Sequence, residues 1–170
     1  MIQVETAIEK PWPGGNWDVL AERAVRAAID ASAHGDIATL STIVEVSVRY
    51  TSDEEVRTLN NAYRQKDKPT NVLSFPMVQP DLLDSINPGD DEGETLLGDI
   101  VLAHGVCARE AEEKNVSVDD HATHLIVHGT LHLLGYDHEQ GEAEAEAMEE
   151  IERAALATLG IDDPYAVRED

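Results

Sequence analysis

Between residues 42 and 50 the chain reads TIVEVSVRY, in which apolar and polar positions alternate and β-branched residues dominate. A period of two puts successive side chains on opposite faces, so this segment predicts a strand with one face in a core. Its neighbours follow another rhythm. WDVLAERAVRAAIDAS, residues 17 to 32, repeats apolar residues at the spacing of an amphipathic helix, and His34-Gly35 stops it. SDEEVRTLNNAYR, residues 52 to 64, opens with Ser52 and Glu55, the S-x-x-E signal of a helix start. Apolar runs at 2 to 8, 71 to 77 and 96 to 104 predict three more strands. Helices are predicted near 105 to 114, from about 118 to 134 and, rich in glutamate, from about 142 to 158.

Strands interleaved with helices predict an α/β domain of the α+β-like kind, with a mixed sheet of about four strands covered by five or six helices. A length of 170 residues suits one core, so residues 1 to 160 are read as a single domain. The last ten residues, IDDPYAVRED, read as a frayed acidic tail. The stretch from 78 to 95, VQPDLLDSINPGDDEGET, carries six acidic residues and no basic one, and predicts an exposed, mobile connector.

Charge narrows the function classes. A formal net charge of −23 argues against a protein that coats nucleic acid without specificity, because phosphates are repelled at long range. The lone cysteine, Cys107, excludes an internal disulfide and a cysteine-based zinc site, and is expected to be a small core residue. No apolar run approaches the length needed to cross a bilayer, and no leader is visible, so a cytoplasmic protein is expected.

Candidate chemistry is concentrated in HLIVHGTLHLLGYDH, residues 124 to 138, which holds four of the seven histidines. Ser117 and Asp120 are candidate caps for this helix, and Gly135 is its stop. In a helix, residues four apart lie ~6 Å apart along one face, so His128 and His132 present their imidazoles together. Gly135 turns the chain, and His138 can return to the same point. Three histidines without a fourth protein ligand fit a catalytic zinc site, in which the remaining position holds water, better than a closed structural one. His124, one turn earlier, is read as a packed or hydrogen-bonded histidine rather than a ligand. Asp137 either orients a ligand imidazole or stabilises the turn.

The spacing H-x3-H-x2-G-x2-H is that of metzincin proteases, with one difference. Where their signature has the glutamate that handles the proton of zinc-bound water, this chain has Gly129. Peptide cleavage is thereby disfavoured, whereas a phosphodiester can be cut with a metal and a cation. The cation is available in YRQKDKPTNVLSFP, residues 63 to 76, where Arg64 suits bidentate phosphate binding and Lys66 and Lys68 add charge.

Taken together, HGTLHLLGYDH (128 to 138), YRQKDKPTNVLSFP (63 to 76) and LLGDIVLA (96 to 103) resemble the YbeY family of bacterial endoribonucleases, or rRNA maturation factors. The resemblance runs from about residue 42 to 152. It implies a four-stranded α/β domain with a metzincin-like zinc-site layout and one Zn2+ per chain. The implied activity is metal-dependent cleavage of single-stranded RNA, in 16S rRNA 3′-end maturation and ribosome quality control. His128, His132 and His138 match the family's zinc ligands and Arg64 its functional arginine. The GTPase Era and a small-subunit ribosomal protein are implied partners. A metalloprotease-like hydrolase and a non-catalytic, zinc-stabilised ribosome-assembly factor are the competing readings.

Overall fold

A computed structural model of the chain describes residues 1–39, 42–78, 94–137 and 141–165. In chain order the elements are β1 (Ile2–Ile8), α1 (Trp17–Ala31), a short 3-10 helix (Gly35–Thr39), β2 (Ile43–Thr51), α2 (Asp53–Arg64), β3 (Val72–Pro76), β4 (Glu94–Ala103), α3 (His104–Lys114), α4 (Val118–Leu133) and α5 (Glu142–Thr158). The four strands form one mixed sheet, as expected, and their order is β1-β2-β4-β3. β1 and β4 run parallel to β2, while β3 pairs antiparallel with β4 at the edge.

Alternation along β2 and β4 builds two cores. Val44, Val46, Val48 and Tyr50 of β2 and Ile100 and Leu102 of β4 are buried in the larger one. α1 reaches this core with Trp17, Ala21, Ala24, Val25, Ala28 and Ile29, a helical stripe at i, i+4, i+7 and i+8. α4 and α5 complete it, and Cys107 is buried there as expected. On the opposite face Val101 and Ala103 of β4, with Leu73 of β3, form a smaller core under Val56 of α2. Burial on both faces explains why β4 reads as an almost unbroken apolar run.

Local chemistry agrees with the pattern, with three departures. Ser52 Oγ accepts from the Glu55 N–H at 3.1 Å, but the Glu55 carboxylate turns to Arg49 Nη1 at 3.3 Å instead of closing the capping box. The connector predicted for 78 to 95 overlaps β4, which begins at Glu94, because pairing with Ile43 and Val44 of β2 extends that strand. Its residues 79–93 lie outside those described. The expected fraying of the C-terminal segment does not hold for residues 161 to 165: Arg153 Nε holds Asp163 at 3.0 Å, and the Tyr165 hydroxyl bonds Glu152 of α5.

Candidate active site

α4 is fixed at both ends. Ser117 Oγ accepts from the Asp120 N–H at 3.0 Å, so Ser117 is the cap and Asp120 supplies the donor instead of capping. Gly135, at φ 94°, ends the helix; its N–H donates to His132 O and the Tyr136 N–H donates to Leu131 O, both at 3.0 Å. Near this end Leu133 packs on Gly98 of β4, where a Cβ would lie 2.5 Å from both Leu133 Cδ2 and Phe75 O. Glycine at 98 therefore lets α4 close onto the sheet beside β3.

One turn apart on this helix, His128 and His132 bring their Nε2 atoms to 3.1 Å. Two imidazole nitrogens, each ~2.0–2.1 Å from a tetrahedral zinc, would be ~3.3 Å apart. The pair therefore fits two corners of such a site without rearrangement. His138, the third expected ligand, lies outside the described residues. Among the described residues no group of three His, Cys, Asp or Glu is arranged to hold a metal.

A buried carboxylate stands behind His128. Glu152 of α5 is fully buried and accepts from His128 Nδ1 through Oε1 and from the Tyr165 hydroxyl through Oε2. A carboxylate only accepts, so the His128 proton sits on Nδ1 and its Nε2 lone pair is left to face His132. Burial alone would raise the Glu152 carboxyl; hydrogen bonds from His124, His128 and the Tyr165 hydroxyl outweigh it and hold it at about 2. His124 is 7% exposed, with Nε2 3.3 Å from the Tyr165 hydroxyl and 3.5 Å from Glu152 Oε2. It is packed and hydrogen-bonded, as expected.

Facing the histidines is the end of α2. Gln65 takes a left-handed backbone, φ 58°, which terminates that helix immediately after Arg64. The following turn is held by Asn60 Nδ2 on Lys68 O at 2.8 Å and by Arg57 Nε on Asp67 Oδ1 at 2.8 Å. Arg64, Lys66, Lys68, His128, His132 and Asp137 all line one cavity of about 950 Å³. The structure thus brings together all the described candidate residues, although Arg64 and His128 are far apart in sequence. Arg26, Arg49, Arg57, Arg109 and Arg153 each pair with a carboxylate. Arg64, Lys66 and Lys68 form no ion pair among the described residues, which leaves a positive lip on an acidic protein.

Known proteins resemble this chain over its whole length. The profile of the family "Endoribonuclease YbeY" matches residues 16–160. The chain belongs to the YbeY endoribonuclease family. A YbeY endoribonuclease of Rhizorhabdus wittichii is 60% identical over all of both chains, and one of Sphingopyxis alaskensis is 56% identical over 98% of each. A solution structure from Thermotoga maritima, 22% identical, superposes over 98% of this chain and 100% of its own with a TM-score of 0.53, so the fold is shared.

Two features of this YbeY chain were not foreseen from its sequence. Glu152 and Tyr165 were missed because α5 is rich in glutamate, but a signal existed: Glu152 shares the helical stripe of Met148, Ala155 and Leu156, where an apolar residue is expected. Gly129 also has a packing reason. It lies against β4, where a Cβ would come 3.1 Å from Ile100 Cγ2, so its side of α4 faces the sheet.

Proposed function

We propose that this chain is a zinc-dependent endoribonuclease that cuts single-stranded RNA in the cytoplasm, acting on the 3′ end of small-subunit rRNA and in ribosome quality control. The observation that carries this reading is the placement of Arg64 in one cavity with His128 and His132. His128, His132 and His138 would hold the metal. Zinc, when bound, supplies a Lewis acid and an activated water at neutral pH.

The chain's own residues do the rest. Arg64 offers a planar, two-point grip on a phosphate and neutralises charge as it develops on the phosphoryl oxygens. Lys66 and Lys68 raise the local attraction for a polyanion in a chain that otherwise repels it. Glu152 fixes the tautomer and ring plane of His128, as carboxylates behind ligand histidines do. Era and a small-subunit ribosomal protein are the proposed partners, and recruitment by them offsets the long-range repulsion from rRNA.

The test is to incubate the protein with single-stranded RNA and with unfolded polypeptide, each with chelator and after zinc is restored. RNA cleavage that chelator stops and zinc restores is the expected result. Chelator-sensitive proteolysis would favour the metalloprotease reading, and folded zinc protein that leaves both substrates intact would favour an assembly factor.

A further inference from the structure

The buried stripe of α2 runs through Val56, Leu59 and Asn60, and its next member is Tyr63. Helical periodicity turns that ring toward the sheet, yet it is 70% exposed. Among the described residues its aromatic neighbour is Phe75 at the end of β3, edge-on with centroids 5.3 Å apart. Of the chain's two Trp, four Tyr and one Phe, Tyr63 alone is mostly exposed. Tyr63 lines the histidine cavity and also an adjoining groove of about 570 Å³ formed with Phe75, Pro76 and Met77. Met77 is itself 60% exposed, so the rim of this groove is apolar. Tyr63 immediately precedes Arg64, whose guanidinium is unpaired among the described residues.

From this juxtaposition we propose that Tyr63, supported by Phe75, is a stacking site for an unpaired nucleobase of the RNA strand whose phosphate Arg64 holds. This rests on the ribonuclease reading given above. Tyr63 and Arg64 both line the histidine cavity, so a phosphate on Arg64 brings the base of a flanking nucleotide to the same opening as the ring. The charge complement is present in Arg64, Lys66 and Lys68, and the apolar surface beside it suits a π face. Bases in a duplex are already stacked on one another and cannot take this place, so the site favours single strands. Every base has a π face, so the site has no sequence preference.

The test uses a short 2′-O-methyl single strand, which resists cleavage, and the same strand with abasic positions, each titrated by fluorescence anisotropy into zinc-loaded wild type, Tyr63→Phe and Tyr63→Ala. Wild type and Tyr63→Phe bind the base-bearing strand more tightly than the abasic one. Tyr63→Ala keeps its melting temperature, binds the base-bearing strand roughly 5- to 150-fold more weakly, and no longer distinguishes the two strands. Equal affinity and equal discrimination in wild type and Tyr63→Ala overturn the stacking site while leaving the nuclease reading intact. A wild-type protein that binds neither strand overturns both.

Discussion

The Nδ1–H of His128 donates to the Glu152 carboxylate, which no solvent reaches. That bond turns the opposite ring nitrogen, as an acceptor, toward His132 Nε2 at 3.1 Å, and it ties α4 to α5. Glu152→Gln keeps an acceptor in place but removes the charge that makes the imidazole a better donor to a metal. Zinc affinity, measured by competition with a chromophoric chelator, is expected to fall about 10- to 100-fold, while circular dichroism of the metal-free variant stays that of wild type. Unchanged affinity would reduce Glu152 to a packing role.

Gly129 separates packing from chemistry. A glutamate there would point its chain at buried Ile100, so Gly129→Glu is expected to lose more than about 4 kcal/mol of stability in denaturant unfolding. The smaller Gly129→Ala sets overpacking of ~1–3 kcal/mol against a helix-propensity gain of ~1 kcal/mol, and should stay folded. A Gly129→Glu protein as stable as wild type would show that this side of α4 is open.

His121 sets a pH dependence. It is buried with Nε2 2.8 Å from Glu110 Oε1, and burial pushes its pKa below the ordinary 6.5, with smaller contributions from His124 and Lys114 in the same direction and the Glu110 carboxylate opposing. The unfolded chain takes up this proton near 6.5, but the folded chain only at lower pH. Stability from this group is therefore full above 6.5, falls as pH drops through that value, and levels off below the folded pKa. The melting temperature of wild type should drop more than that of His121→Asn between about pH 8 and about pH 5.5. Parallel curves would contradict this.

Cys107 is fully buried, and burial, with Glu110 adding to it, pushes its thiol up to about 12. Both effects suppress the thiolate that reacts. A disulfide reagent at neutral pH should label it only after denaturant is added, and fast labelling of native protein would show that the core opens near α3.

Much of this was legible in the sequence, and the rest failed for identifiable reasons. The period-two run of β2, the Ser52 and Ser117 caps and the Gly135 stop are local signals, and each element formed where its signal lay. The pairing of His128 with His132 follows from helix geometry alone. Glu152 was hidden because its meaning depends on which helix packs behind α4, a contact no local pattern records. Tyr165 likewise lies in a segment whose composition reads as a loose tail, and only the bond of its hydroxyl to Glu152, a tertiary contact, orders it. Gly129 stands out in the sequence only against a protease signature, whereas its neighbour across the helix–sheet interface is Ile100.

Joint action of Arg64 and the histidines on one phosphate is tested most directly by the rate of single-stranded RNA cleavage by wild type, Arg64→Ala, Arg64→Lys and His132→Ala purified side by side. Arg64→Ala should hold zinc and melt like wild type, yet cleave roughly 10²–10³-fold more slowly, the loss expected when a transition-state contact worth about 2.7–4 kcal/mol is removed. Arg64→Lys should recover only part of the rate, because it restores charge without the two-point grip. His132→Ala should lose both zinc and cleavage. Cleavage by Arg64→Ala at the wild-type rate would contradict the account.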